Sequence, residues 1–297
     1  MEAGVATPER RSAGRRLAGL FHGRPRLQVG TLLAGPIGWL VVGYLGSLAV
    51  LLVTSFWTLG ELSGEIEQTF TLDNFKEVVE TSVYRNVTAR TVLIAALVTV
   101  TDVLLAFPIA FYMAKIAKPR TRGFLVVAVL VPLWSAYLVK AFAWRGILSQ
   151  DGVLNWLLEP LGIEGPGYGL VAIWLVMSYI WLPYMIIPIY AGLERIPDTL
   201  LSASEDMGAK PGTTFRRVIL PLVFPAVIAG SIFTFSLTLG DFITPGLVGS
   251  GEQFIGNVVY ANIVNNQPLA SAFVMVPVVV MVIYLLIARR LGAFEHL

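Results

Sequence analysis

Six long blocks of apolar residues divide this chain, and they constrain its fold more than any other feature. The blocks lie at about 29–58, 91–113, 123–143, 169–191, 218–239 and 270–288. A helix needs roughly 20 apolar residues to cross a bilayer, and each block is about that long or longer. A transmembrane barrel would instead show alternating segments of about ten residues. The blocks predict an all-α integral membrane protein with six transmembrane helices.

Composition supports this class and argues against an enzyme. The chain of 297 residues is 56% hydrophobic and 13% charged, whereas soluble domains carry about 25% charged residues. It has no cysteine, which excludes a disulfide framework, a thiolate metal site and a thiol nucleophile. Its two histidines, His22 and His296, lie near opposite ends of the sequence and outside any HExxH pattern.

The basic residues predict how the helices are oriented. Most of the 21 lysines and arginines lie before the first block, between the second and third, between the fourth and fifth, and after the last. Short loops rich in Lys and Arg stay in the cytoplasm. We therefore predict a basic cytoplasmic segment at 1–28, a membrane domain at 29–290 with a cytoplasmic loop at 192–217, and a cytoplasmic tail at 291–297.

The cytoplasmic loop contains the sequence pattern of a short helix. Asp198 follows a proline and can accept hydrogen bonds from the first backbone amides of a helix. Gly208 can adopt the left-handed conformation that ends a helix, and Pro211 prevents the helix from resuming. A stripe at i, i+3, i+4 and i+7 is formed by Leu200, Ala203, Ser204 and Met207. Periodicity alone fits both a ridge that docks into a cytosolic partner and a helix that packs on its own neighbours.

The spacing in SASEDMGAKPGTTFRRVILP (202–221) resembles the signature of binding-protein-dependent ABC importer permeases. That signature is Glu-Ala-Ala, a Gly after three residues, and Ile-x-Leu-Pro after nine more. Four positions match outright and two are conservative: Ala203, Gly208, Leu220, Pro221, and then Ser204 and Val218. Ser202 replaces the usual Glu, and Glu205 lies one turn later where it can substitute. The resemblance implies a type I importer permease fold, with a coupling helix that docks on an ATPase subunit.

Three further stretches resemble the B-type permease of spermidine/putrescine importers. They are residues 131–148, 178–197 and 236–249, and the similarity extends over roughly residues 30–290. The resemblance implies a bacterial inner-membrane complex with a second permease of different sequence, two ATPase subunits and an extracytoplasmic substrate-binding protein. Relatives of this branch carry other small solutes or ferric iron, so those substrates stay open. No nucleic-acid partner is implied.

The chain lacks an ATPase site of its own. A P-loop needs a Gly-rich turn ending in Lys-Ser or Lys-Thr, and no lysine here is followed by either residue. We therefore expect no cofactor in this chain, with ATP and Mg²⁺ bound by the partner ATPases. Alternatives from other classes are a secondary transporter or channel that works alone, and a membrane scaffold. The former would show two halves with matching broken helices around an ion site.

Two sets of candidate residues follow. The resemblance assigns ATPase coupling to Leu200, Ser202, Ala203, Ser204, Glu205, Met207, Gly208, Leu220 and Pro221. A substrate path is predicted from ionisable and aromatic residues, namely Asp102, Trp134, Tyr137, Tyr184 and Asp241, with Trp144, Tyr179 and Trp181 as further aromatics. Asp102 lies mid-block, where an acid serves a cation path, a structural hydrogen bond or a contact with the partner permease. Asp241, flanked by aromatics, suits an ammonium group or caps the turn at 242–246.

Overall fold

The computed structural model of the protein describes residues 25–60 and 64–290, which are mostly helical. Of the predicted terminal segments, residues 1–24 and 291–297 lie outside the described residues. The chain divides into two units, residues 1–53 and residues 54–297.

The described part of the first unit, from residue 25 onward, is a single helical run. Its parts are α1 (Pro25–Trp39), the π-helical segment π1 (Leu40–Leu45) and α2 (Gly46–Thr54), whose last residue belongs to the second unit. The run ends four residues before the predicted limit of 58, because Thr58 begins a strand. Apolar side chains along it, such as Leu32 and Val42, are exposed. An apolar exposed helix of this length suits a lipid bilayer.

The second unit begins with a small hairpin and a surface helix. Strands β1 (Thr58–Leu59) and β2 (Ile66–Glu67) pair antiparallel. Helix α3 (Asp73–Glu80) follows, and Asp73 is its first residue. The hydroxyl of Thr71 accepts a hydrogen bond from the Asp73 amide at 3.1 Å and donates one to the Asp73 carboxylate at 2.7 Å.

Three membrane helices pack together as the core of the second unit. They are α4 (Ser82–Phe111), α8 (Leu170–Glu194) and α11 (Leu220–Gly240). Helix α4 continues into π2 (Tyr112–Ile116), and α11 is preceded by π3 (Phe215–Ile219). A Cβ atom on Gly192 of α8 would lie 2.6 Å from the Cβ of Ala226 on α11. Small residues therefore let these two backbones approach closely.

The third predicted membrane helix is not a single helix, which corrects the prediction at 123–143. The block folds as α5 (Pro119–Trp134) and α6 (Tyr137–Leu148), bent by 94° at Ser135 and Ala136. The carbonyl of Pro132 accepts hydrogen bonds from the Ser135 hydroxyl at 2.9 Å and the Lys140 ammonium at 3.1 Å. Lys140 thus compensates a helix end inside the block, where a free carbonyl would be costly.

The remaining elements complete the count of membrane spans. They are α7 (Val153–Leu158), a 3₁₀ turn (Glu159–Leu161), α9 (Asp198–Asp206), α10 (Pro211–Thr214), α12 (Ile243–Val248), α13 (Ile255–Asn262) and α14 (Gln267–Arg290). In the described part of the chain, five helices are long and apolar enough to cross a membrane, and there are six if the bent pair α5–α6 is counted as one span. The predicted all-α membrane fold is confirmed.

Candidate functional site

Helix α9 lies outside the membrane spans and ends as the sequence predicts. Gly208 has a φ of +77°, the left-handed conformation that glycine adopts without strain. The Gly208 amide donates to the Glu205 carbonyl at 2.8 Å, and the Ala209 amide donates to the Ser204 carbonyl at 3.1 Å. These two bonds form a Schellman motif, which satisfies carbonyls left free at a helix end. Pro211 does more than stop α9, because it is the first residue of α10.

The predicted stripe on α9 is divided between two faces. Leu200, Ala203 and Met207 are exposed, with Met207 at 81%. Ser204 is only 4% exposed, and its hydroxyl lies 2.8 Å from the hydroxyl of Thr214 on α10. Leu201 packs beside it against the core. One face of α9 is therefore fastened to the bundle, and the other presents an apolar ridge.

The remaining predicted coupling residues lie around this ridge. Ser202 and Glu205 are exposed on α9, and the Ser202 hydroxyl donates to the Asp198 carbonyl at 3.2 Å. Leu220 and Pro221 begin α11. Pro221 and Leu200 both line a largely apolar groove of about 550 Å³ between α8 and α11, with Arg195 at its border. Leu200 and Pro221, two of the predicted coupling residues, are therefore close in space.

Asp198 does not cap α9 with its side chain. It is the first residue of the helix, and its carboxylate accepts a hydrogen bond from Lys115 at 2.8 Å. The Lys115 ammonium also donates to the Ile196 carbonyl at 2.6 Å. The hydrogen bond and the charge of Lys115 hold the pKa of Asp198 below its ordinary value. Sequence reasoning missed Lys115, since a lysine at the end of an apolar block carries no signal for a contact 83 residues away.

A second polar link lies beside Lys115. Arg122 of α5 donates to the Ala114 carbonyl at 3.0 Å and lies 3.7 Å from the Glu194 carboxylate. The Tyr190 hydroxyl donates to the same carboxylate at 3.0 Å. These contacts connect the ends of α4, α5 and α8 close to α9.

Asp241 and Tyr137 are brought together at the opposite end of the bundle. The Asp241 carboxylate accepts hydrogen bonds from the amides of Ile243 and Thr244 at 2.9 and 3.0 Å. It also accepts from the hydroxyls of Tyr137 and Thr244, both at 2.6 Å. The geometry is that of the capping alternative, because the carboxylate holds the first turn of α12. Asp241 is 7% exposed.

The predicted aromatic residues form one short ladder, one separate pair and one exposed member. The rings of Tyr137 and Trp181 stack with centroids 5.6 Å apart, and Trp181 lies 5.9 Å from Tyr184. Trp144 contacts Tyr179 at 5.3 Å in a separate pair. Trp134, by contrast, is 90% exposed. The structure therefore links Tyr137 to Asp241 by a hydrogen bond and to Tyr184 through the ring of Trp181.

Asp102 is fully buried on α4. Within the described residues, neither of its carboxylate oxygens has a hydrogen-bond partner. The described part of the chain therefore shows no structural hydrogen bond to this carboxyl. Over the same residues, no group of three or more His, Cys, Asp or Glu side chains could hold a metal ion.

Comparisons with known proteins place the chain in a family. Residues 82–294 match the family described as "Binding-protein-dependent transport system inner membrane component". The chain is 42% identical to the inner membrane ABC transporter permease protein YdcU of Escherichia coli (strain K12), over 99% of this chain and 98% of that protein. It is 30% identical to the spermidine/putrescine transport system permease protein PotB of the same strain, over 86% and 94%.

Solved structures share the fold. A chain of a bacterial ABC transporter involved in the import of the acidic polysaccharide alginate superposes with a TM-score of 0.70 at 18% identity, covering 93% of this chain and 98% of that one. A chain of the MetNI methionine ABC transporter gives a TM-score of 0.54 at 15% identity, over 69% and 93%. The protein thus belongs to the binding-protein-dependent family of ABC importer permeases, multi-pass components of the bacterial inner membrane.

Proposed function

We propose that α9 is the helix through which this permease is driven by separate ATPase subunits. The observation that carries the proposal is the division of α9 into two faces. Leu201 and Ser204 fasten one face to the bundle, and Leu200, Ala203 and Met207 leave the other exposed. An amphipathic helix that presents an apolar ridge suits a hydrophobic groove on a partner protein.

The proposed mechanism is alternating access driven from α9. The end of the bundle that carries α9 faces the cytoplasm, as the basic residues around it predict. Closure of two ATPase subunits, which bind ATP and Mg²⁺, moves α9 and rocks α4, α8 and α11 between outward-open and inward-open states. A second permease of different sequence completes the path. An extracytoplasmic binding protein delivers substrate at the opposite end.

We further propose spermidine- or putrescine-type polyamines as substrates. The support is the 30% identity to PotB over 86% of the chain, whereas the name of YdcU states no substrate. The stacked rings of Tyr137, Trp181 and Tyr184 suit ammonium groups through cation–π attraction. Another small solute or ferric iron is the alternative substrate class.

The other path residues have different proposed roles. Asp241 already accepts four hydrogen bonds, so we assign it the task of positioning Tyr137 rather than binding the cation directly. Asp102 has a buried carboxyl with no partner in the described chain, and it remains the candidate for a charged contact deeper in the membrane. Trp134, which is highly exposed, faces lipid or the second permease.

The decisive experiment measures ATP hydrolysis by the purified complex in lipid. The complex is compared with and without its binding protein, loaded with spermidine or putrescine. Stimulation by the loaded protein supports both coupling and substrate class. Stimulation only by binding proteins loaded with other solutes would leave the importer assignment and remove the polyamine assignment. A permease that copurifies with no ATPase would contradict the role of α9.

A further inference from the structure

The Lys115 ammonium is a buried charge at the junction of two elements. Its side chain is 9% exposed, although it lies at the end of a membrane helix that could lead it to water. Burial of an ammonium group is costly unless the group is paired and hydrogen-bonded. Here it donates to the Ile196 carbonyl at 2.6 Å and to the Asp198 carboxylate at 2.8 Å. Ile196 lies in the turn between α8 and α9, and Asp198 begins α9.

The two acceptors define where α9 begins. Ile196 is the last buried residue before α9, and Asp198 is the first residue of α9. A carboxylate in the first turn of a helix is favoured by the helix dipole, and a charged hydrogen bond is about twice as strong as a neutral one. Lys115 therefore joins the start of α9 to the end of α4 through π2, across 83 residues of sequence.

The other attachments of α9 are elsewhere on the helix. Ser204 bonds to Thr214 of α10 near its C-terminal end, and Leu201 packs on the core in its middle. Without Lys115, the described contacts of the N-terminal end of α9 are the connecting turn and the charge of Arg122 acting on Asp198. A push on the ridge of α9 would then reach α4 less directly, through the packing of Leu201 and of α8 against the core.

We propose that Lys115 is a positioning residue that transmits the movement of α9 to α4. This inference rests on the proposed coupling role of α9 and adds the residue that carries the movement into the membrane. The ammonium links α4 to the start of α9 through its hydrogen bonds to the Ile196 carbonyl and the Asp198 carboxylate, and we call this link the latch. It does not contact substrate or nucleotide.

The test compares substrate molecules transported per ATP hydrolysed, in vesicles that contain the whole complex. Lys115→Met removes both hydrogen bonds, and we expect this ratio to fall about tenfold or more. Hydrolysis without binding protein should stay within about twofold, since the ridge itself is intact. Lys115→Arg keeps a charged donor and should restore much of the ratio. Lys118→Met removes a nearby exposed lysine and serves as the matched control.

A second variant keeps the test informative if Lys115→Met does not assemble. The Asp198 side chain is 86% exposed, so Asp198→Asn should fold normally while it weakens the latch. A reduced ratio in Asp198→Asn supports the proposal, and unchanged ratios in every variant that assembles overturn it. The wild-type complex separates the two levels of inference. If wild-type transport is coupled, the variants test the latch alone, and if no ATPase is bound, latch and coupling role both fail.

Discussion

Gly208 ends α9, and its positive φ angle leads to a direct prediction. At a φ of +77°, a β-branched residue pays a conformational cost of about 1–2 kcal/mol. Gly208→Val should therefore unwind the last turn of α9 and abolish the coupling of uptake to ATP hydrolysis, while the protein still inserts in the membrane. Gly208→Asn is the control, because asparagine tolerates the left-handed conformation. Normal uptake by Gly208→Val would remove the role assigned to this loop.

Ser204 and Ser202 provide a matched pair on opposite faces of α9. Ser204 shares a buried hydrogen bond with Thr214, so Ser204→Ala should lower the free energy of unfolding by about 1 kcal/mol. Ser202 is exposed, and Ser202→Ala should change it by less than about 0.5 kcal/mol. Thermal unfolding of the purified permease in detergent measures both. Equal effects would show that the hydroxyl contact of Ser204 contributes nothing.

At residue scale, the sequence predicts local features well and long-range contacts poorly. The left-handed glycine at 208 follows from glycine chemistry and from spacing. The role of Asp198 cannot be predicted in this way, because a carboxylate at a helix start suits both a side-chain cap and an ion pair with a distant lysine. Only the fold brings Lys115 within 2.8 Å of it. Asp241 shows the reverse outcome, since its capping geometry is one of the two alternatives that the sequence leaves open.

The close approach of α8 and α11 depends on a glycine facing an alanine. A methyl group at Gly192 would lie 2.6 Å from the Ala226 Cβ, well inside van der Waals contact. Gly192→Ala should destabilise the permease by about 1–3 kcal/mol through overpacking. The double variant Gly192→Ala with Ala226→Gly exchanges the two side chains and should recover part of the loss. The check is thermal unfolding, and an equally unstable double variant would contradict direct packing as the cause.

The sequence predicts a helix correctly where the length of an apolar run determines it, and it fails where tertiary contacts determine the helix. Five of the six blocks fold as single membrane helices, within a few residues of their predicted limits for most of them. The third block is as apolar as the others, and proline in membrane helices is tolerated, so the sequence gives no reason to divide it. At the division, the Ser135 hydroxyl and the Lys140 ammonium both donate to the Pro132 carbonyl. Side-chain geometry of that kind cannot be read from hydropathy.

The junction between α6 and α12 yields a prediction on substrate handling. The Tyr137 hydroxyl bonds to Asp241 and Thr244 at 2.6 and 2.7 Å, and its ring stacks on Trp181. Tyr137→Phe removes the hydroxyl and keeps the ring. If the rings guide the substrate by cation–π attraction, polyamine uptake by this variant should fall by at most about threefold. Tyr137→Leu removes the ring and should lose about tenfold, the equivalent of a cation–π contact of 1 to 2 kcal/mol. Uptake assays in whole cells separate these results, and equal losses would indicate that the hydroxyl network matters instead.

At the scale of the whole molecule, the orientation of the protein in the membrane determines which side α9 faces and therefore which partner proteins it can bind. The basic residues predict that α9 is cytoplasmic, and the connection between α6 and α8 then lies outside. The natural absence of cysteine allows a clean test with single substitutions at two exposed positions, Ser202→Cys and Glu164→Cys. A thiol reagent that does not cross membranes should label Glu164→Cys in intact spheroplasts, and it should label Ser202→Cys only after the membrane is opened. Both positions are outside the spans and exposed, so unequal access reflects the membrane rather than local burial. The reverse labelling pattern would place α9 on the side without ATP, and no cytosolic ATPase could then drive this permease through it.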